Sequence, residues 1–350
     1  MIDLFALARP VLMRLPAETA HRLTLAAAEA GLTPRQRMTP DPRLGVDFLG
    51  HHLASPIGLA AGFDKNARVF DRLYDAGFSF VEVGGVTPRP QIGNPRPRLF
   101  RLPEDRAIIN RMGFNNDGAE IIAERVRLRH RAGRLLGINL ASNSDSRDPA
   151  DDFVQLVARF ASLADYLTID ISCPNTANGQ MFLRTGPLQD LLGRINAWFA
   201  AHDQPRPALF AKTGPDVTQE ETSDIVDCIT QAGLDGMIVS NTTRDRPASL
   251  KGQAAGERGG LSGAPLFDSS TRMLAQIYAQ AGDRLTLIGV GGIASGADAY
   301  AKLRAGATVL QIYTALVYQG PGLIGRIHKE LAALLRRDGY ATLAAARPPR

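Results

Sequence analysis

The stretch "TIDISCPNT", Thr168 to Thr176, ends a β-branched run in a thiol, Cys173, with an amide, Asn175, two residues on. A cysteine titrates near ~8.5 in water, far below an alcohol, so it is a usable general base near neutral pH. Its plainer role is a small buried apolar residue. Asp170 sits inside the same apolar run, where a charge is costly unless paired. Other chemically capable residues close similar runs: Lys65 in "AAGFDKNA", Asn139 in "LLGINL", Lys212 after "ALFA" and Asn241 in "SNTT". Their joint occurrence at equivalent places along the sequence is what marks them as candidates for a site. Singly, each is a solvated loop lysine or a turn-forming asparagine. Two glycine-rich stretches, "GGLSGAPL" and "GVGGIASG", allow backbone N–H groups to approach phosphate oxygens closely, or simply make tight turns.

The elements that must position these residues follow from the apolar runs. Short runs occur at 57–61, 80–84, 135–140, 166–172, 208–212, 236–240, 285–290 and 308–313. Helical patterns separate them, at 67–76, 116–131, 150–163, 187–200, 218–232, 268–280 and 297–304, with a last one at 322–336. Strands alternating with helices make a parallel sheet, and eight such units predict an α/β protein with a closed (β/α)8 TIM barrel. No Gly-x-Gly-x-x-Gly turn follows the first strand, which argues against an open doubly wound sheet. In such barrels the chemistry lies at the C-terminal strand ends, where the lysines, asparagines and glycine loops all fall. Two glycine loops near one site suggest a ligand with a phosphate and a planar ring, such as flavin mononucleotide (FMN). The pattern alone leaves a phosphosugar open.

The 350 residues carry a formal net charge of +5 without long blocks of one sign, 45% hydrophobic residues and two cysteines. This composition describes a globular chain in a reducing compartment, with no disulfide framework or metal-ligand spacing and no nucleic-acid signature. A charge bias of this kind suits an anionic membrane or an acidic substrate. Three regions are expected: a helical extension at 1–40, the barrel at 41–340 and a tail at 341–350. The extension holds two apolar helical segments, too short to span a bilayer, which either pack on the barrel or lie in a membrane interface.

Longer motifs, "LAAGFDKNA", "VTPRPQIGNPRPRLFRLPED", "INRMGFNNDG", "SNTT", "GGLSG" and "GVGGI", resemble the dihydroorotate dehydrogenases. "AETAHRLTL" resembles the extension peculiar to the quinone-linked, membrane-associated class, which favours the interfacial reading. The resemblance runs from about residue 15 to 335. It implies FMN at the barrel mouth, dihydroorotate oxidised to orotate in pyrimidine biosynthesis, a membrane quinone as acceptor and no nucleic-acid partner. It also implies peripheral attachment through residues 1–40 to the cytoplasmic face of a bacterial cell membrane.

The resemblance further assigns residues. On the flavin side it puts Ala61, Gly62, Phe63, Asp64 and Lys65, then Gly85, Asn139, Asp170 and Lys212. Ser240, Gly263, Gly292, Tyr313 and Thr314 complete that set. On the substrate side it puts Asn110, Arg111, Met112, Gly113 and Phe114, with Asp170, Asn175, Asn241 and Thr242, and Lys65 bridging both ligands. Cys173 takes the place of the base that removes a proton from C5, and His21, Arg101 and Tyr313 resemble the polar lining of a quinone tunnel.

Several positions depart from the quinone-linked pattern. Cys173 replaces its usual serine, Asp170 its asparagine, Gly85 a hydroxyl residue and Ala141-Ser142 a Gly-Lys pair; the loop after Thr176 also differs. Asp170 is the departure with most consequence, because an ionised carboxylate beside an anionic substrate is repelled. Protonation, pairing with Lys65 or Lys212, a turn away from the site, or a substrate unlike orotate would each resolve it. A relative acting on another dihydropyrimidine or cyclic imide, and a flavin-binding protein with little activity, therefore stand beside the leading reading.

Overall fold

The computed structural model describes residues 4–33, 35, 41–130, 133–173, 175 and 179–348. Within the motif at 168–176, Pro174 and Thr176 lie outside the described residues, as do parts of the extension and of the loop after Thr176.

All eight expected strands form: β1 (Ile57–Leu59), β2 (Phe80–Val86), β3 (Leu135–Leu140), β4 (Tyr166–Asp170), β5 (Ala208–Thr213), β6 (Gly236–Val239), β7 (Thr286–Val290) and β8 (Val309–Ile312). They pair in parallel and close into one barrel, β5 meeting β6 and β8 meeting β1. These strands are covered by helices outside and side chains inside, which is why their sequences read as continuous apolar runs. Most covering helices match their expected segments within three residues and begin at local signals; the segment expected at 67–76 is only Phe70–Leu73 with a 3-10 turn to Ala76, and that at 116–131 only Ala119–Arg127. Thr218 and Glu221 form a capping box for Gln219–Gln231, and Asp148 caps Pro149–Phe160.

The barrel is plugged at its N-terminal end. A hairpin not anticipated from sequence, Val46–Phe48 with His51–Leu53, pushes Phe48 against Phe80, Tyr166 and Phe210, with ring centroids 5.3, 6.1 and 6.1 Å apart. Gly137 makes room for this layer, since a Cβ there would lie 2.0 Å from the Tyr166 ring. Above the aromatic layer, buried Glu82 accepts from Asn139 Nδ2 (3.0 Å), Tyr166 OH (3.1 Å) and Gln311 Nε2 (2.7 Å). The interior thus passes from apolar to polar toward the C-terminal mouth.

A second unanticipated sheet roofs one side of that mouth. Leu99–Leu102, Ala107–Asn110 and Gly260–Gly263 run antiparallel around a small core of Leu102, Ala107, Ile109 and Leu261. On it rest α1 (Leu4–Arg14) and α2 (Ala17–Glu29). Arg101 donates to the carbonyls of Leu12 (2.9 Å) and Leu15, tying down the junction between the helices. Glu18 pairs with Arg98 (2.8 Å) and Arg96 (2.9 Å), and the Phe5 ring covers Gly320. At the other terminus Leu343–Ala346 is helical, Leu343 and Ala346 are buried, and Arg347 donates to the Gly306 carbonyl at 3.1 Å. That segment therefore packs on the barrel and does not trail from it. No described helix is long and apolar enough to cross a membrane.

Candidate functional site

At the mouth, β4 and β5 place Asp170 beside Lys212 in register. Asp170 Oδ1 accepts from Ser172 N at 3.2 Å, a two-residue turn that starts the loop carrying Cys173. The Asn241 amide donates to both carboxylate oxygens, at 3.1 and 3.3 Å, while its own Oδ1 accepts from Thr242 N at 2.9 Å. An ionised carboxylate only accepts, so Asp170 fixes which way the Asn241 amide faces. Burial pushes the Asp170 carboxyl up to about 6, against the pull of Lys212. Asp170 is thus turned into the site and shares the mouth with Lys212, without an ion-pair contact between them. Cys173 is buried, 7% exposed, and neither cysteine forms a disulfide.

From the roof, Asn110 Oδ1 accepts from Asn175 Nδ2 at 3.3 Å, and Asn94 holds the Asn175 carbonyl at 3.1 Å. Asn175 Oδ1 is buried with no partner among the described residues, and is thereby available to a ligand donor. The Phe114 ring fills the space above Gly85: a Cβ at Gly85 would lie 2.8 Å from it and 3.1 Å from Asn139 Oδ1. The glycine departure at 85 therefore leaves room that Phe114 already occupies. Phe114 itself has a positive φ of 49°, unusual for a residue with a side chain.

Lys65 lies under the extension. Its ammonium donates to the Gly62 carbonyl, and burial first, then Arg98, lowers its pKa to about 8. Two rings lead outward from here, with Tyr313 against Phe63 at 5.8 Å and Phe63 against His21 at 5.4 Å. Burial, reinforced by Lys65, drops His21 to about 3, so it is neutral at ordinary pH. Tyr313 and His21 are thus joined through Phe63, whereas the Arg101 guanidinium is engaged by the carbonyls of the α1–α2 junction. Sequence reading missed the Glu18–Arg98 pair that lies beneath α2 and acts on Lys65. An acidic residue in the first turn of a helix is by itself ordinary, and its partner is 80 residues away.

The glycine loops meet on the opposite side. Gly263 abuts Thr314, where a Cβ would lie 3.1 Å from Thr314 Cγ2, and Thr314 Oγ1 lies 2.8 Å from Ser262 Oγ. Gly292 has φ +76° and lies against Phe267, where a Cβ would lie 2.5 Å from the Phe267 Cβ. Gly62 opens toward Tyr313, and Ser240 follows β6 directly. Backbone with no side chain in the way, next to hydroxyls and a buried ammonium, fits a phosphate and an uncharged ring system. Lys212 supports that fit: it is buried at the end of β5, beside Asp170.

Some expected residues offer less than their motif implies. The Asp64 carboxylate accepts from the backbone of Arg68 (2.8 Å) and Val69 (2.7 Å), which ties it into its own loop. Arg111 pairs with Glu257 at 2.6 Å and stacks 4.5 Å over Phe100, which directs it into the roof. Met112 is buried, and the Gly113 carbonyl accepts from Gln91 at 2.8 Å. No described group of His, Cys, Asp and Glu is placed to hold a metal ion.

Known proteins share this architecture. The family model described as "Dihydroorotate dehydrogenase" matches residues 43–335. A protein of Rhodospirillum rubrum named "Dihydroorotate dehydrogenase (quinone)" is 51% identical over 347 residues, covering 99% of this chain and 94% of that one. A mitochondrial protein of the same name from Mus musculus is 44% identical, covering 95% and 87%. Among solved structures, that of DHODH from Eimeria tenella in complex with ferulenol superposes with a TM-score of 0.90, at 37% identity and 94% coverage of both chains. With the barrel, the roof sheet and the extension all accounted for at such identity, the chain belongs to the dihydroorotate dehydrogenase family.

Proposed function

We propose that this protein oxidises dihydroorotate to orotate with FMN as its cofactor and a membrane quinone as the final acceptor. What supports the reading is that Lys65, Lys212 and Cys173 lie at or after the C-terminal ends of barrel strands, with Asn241 on Asp170 and Asn175 on Asn110, in a chain 51% identical to a quinone-named relative.

Ala61, Gly62, Gly85, Asn139, Lys212 and Ser240 would hold the ring system, and Gly263, Gly292, Tyr313 and Thr314 the phosphate end. When bound, FMN would supply the redox chemistry, as hydride acceptor and as electron donor to quinone. The chain's own residues bind, orient and move one proton. Lys65 and the asparagines match a carboxylate next to an imide edge. Asn241, held by Asp170, and Asn175, held by Asn110 and Asn94, present fixed amides and so lose little entropy on binding. The Cys173 sulfur accepts the C5 proton, and the roof together with α2 excludes bulk water.

The exposed side chains Leu7, Val11 and Leu23 of α1 and α2 support interfacial attachment, and the ring contacts His21–Phe63–Tyr313 would line a path from α2 toward the flavin. Attachment is proposed at the cytoplasmic face of a bacterial cell membrane.

Anaerobic mixing of the yellow protein with dihydroorotate tests the reading. The flavin absorbance bleaches in the wild type, while Cys173→Ala stays yellow and bleaches at least about 100-fold more slowly. Rapid bleaching by the variant removes Cys173 from the role of base, and no bleaching of the wild type removes the substrate. A second reading, oxidation of another dihydropyrimidine or cyclic imide, is favoured by Asp170. At ~4 Å and an effective dielectric of ~20, two like charges repel by about 4 kcal/mol. Bleaching by such a compound and not by dihydroorotate selects it.

A further inference from the structure

Lys302 is a fully buried lysine that the chemistry above does not use. It projects from the helix Gly296–Arg304 toward the underside of the turn that follows β7. Its ammonium donates to Ser270 Oγ at 2.6 Å and to the Val290 carbonyl at 3.1 Å, and lies 5.5 Å from the centre of the Phe267 ring. The same neighbours line the back of the Gly291-Gly292 turn. A Cβ at Gly291 would lie 2.8 Å from Ser270 Oγ, and one at Gly292 would lie 2.5 Å from the Phe267 Cβ. One side of this layer therefore touches the ammonium, and the other touches the glycine backbone.

Lys302 makes no ion pair among the described residues. Asp298, one turn earlier, attracts it, but that carboxylate is engaged by Ala294 N (2.9 Å) and Ser295 Oγ (2.8 Å). A buried ammonium with no counter-charge in contact is costly to the fold, and burial brings its pKa down to about 7. An anion seated on the outer side of the glycine turn would provide the missing charge.

We propose that Lys302 is a positioning residue for the phosphate end of the cofactor, holding the Gly291-Gly292 turn from behind and making its outer face electropositive. This rests on the reading that a flavin phosphate occupies that turn. The ammonium does not contact the phosphate; it acts through Val290, Ser270 and the backbone between them.

The test compares FMN with riboflavin, which has the same ring and lacks the phosphate. The full-length chain is stripped of flavin and titrated with each, as wild type and as Lys302→Met. The wild type is expected to prefer FMN, and the variant to lose about tenfold of that preference with riboflavin affinity unchanged. A folded variant with undiminished preference overturns the proposal. So does an equal loss for both flavins, which marks a purely structural strut. Where Lys302→Met does not fold, Lys302→Gln carries the same comparison. A wild type without preference for FMN instead refutes the placement of the phosphate, which separates failure of the underlying reading from failure of this one.

Discussion

Asp170 shows how one residue links the stability of the site to its chemistry. Its carboxyl is pushed up to about 6 by burial, above the ordinary value of 3.8, so between those pH values the folded protein keeps a proton that the unfolded chain has released. Stability therefore falls as pH rises through that window and stays reduced above it. Asp170→Asn keeps an oxygen for Ser172 N and Asn241 while removing the ionisation. Chemical denaturation is expected to find the variant more stable than wild type at pH 8, by on the order of 2 kcal/mol, with the difference vanishing below about pH 3. A variant less stable at pH 8 would mean that Lys212 more than repays the burial of the charge. Lys65 works in the opposite chemical sense. Its folded pKa is lowered to about 8, so holding it charged near neutrality costs folding energy, which an anionic substrate would return.

At the scale of elements, the barrel was legible and the structures at its two ends were not. Runs such as "LLGINL" and "LTLIGV" announce strands because buried parallel strands are apolar throughout, and Lys212 and Asn139 were marked as site residues by closing such runs. The roof strands are four residues long, and Asn110 reaches a partner 150 residues away at Gly260, which no local pattern reports. The turn "PEDR" between Leu102 and Ala107 was the available hairpin signal. Lys302 was hidden for a similar reason, its partners being on other elements. The roof matters because α1 and α2 are attached through it. Glu18 is one of their polar ties, beside the Arg101 contacts and the Glu29–Arg68 ion pair (2.6 Å), and without it the buried Arg98 loses its counter-charge. Glu18→Ala is expected to free the extension locally, making cleavage after α2 by limited proteolysis about tenfold faster. Bleaching by dihydroorotate should remain, while quinone reduction falls. Unchanged proteolysis would show that the remaining contacts, the Arg101 bonds and the Glu29–Arg68 pair with apolar packing, hold the helices without Glu18.

The extension carries exposed apolar side chains that its fold does not need. Leu7, Val11 and Leu23 are 69%, 60% and 49% exposed, on the two helices that sit above the Phe63–Tyr313 ring contact. Serine at all three should leave the barrel and its stability intact, because none of them is in the core. A membrane interface, by contrast, would bury them, at about 1.5–3 kcal/mol for each large apolar side chain fully removed from water. The net charge of +5 adds attraction to anionic lipid. Sedimentation with anionic vesicles is therefore expected to fall at least about tenfold for the triple variant. Turnover with a long-chain quinone dissolved in those vesicles should fall with it. Turnover with a short, water-soluble quinone analogue should stay within about twofold of wild type, because that substrate reaches the flavin edge without a membrane. Loss of both activities would place these side chains in the quinone path itself. Retention of vesicle binding would mean that attachment depends on charge or on other parts of the extension, and that the apolar face of α1 and α2 has another use.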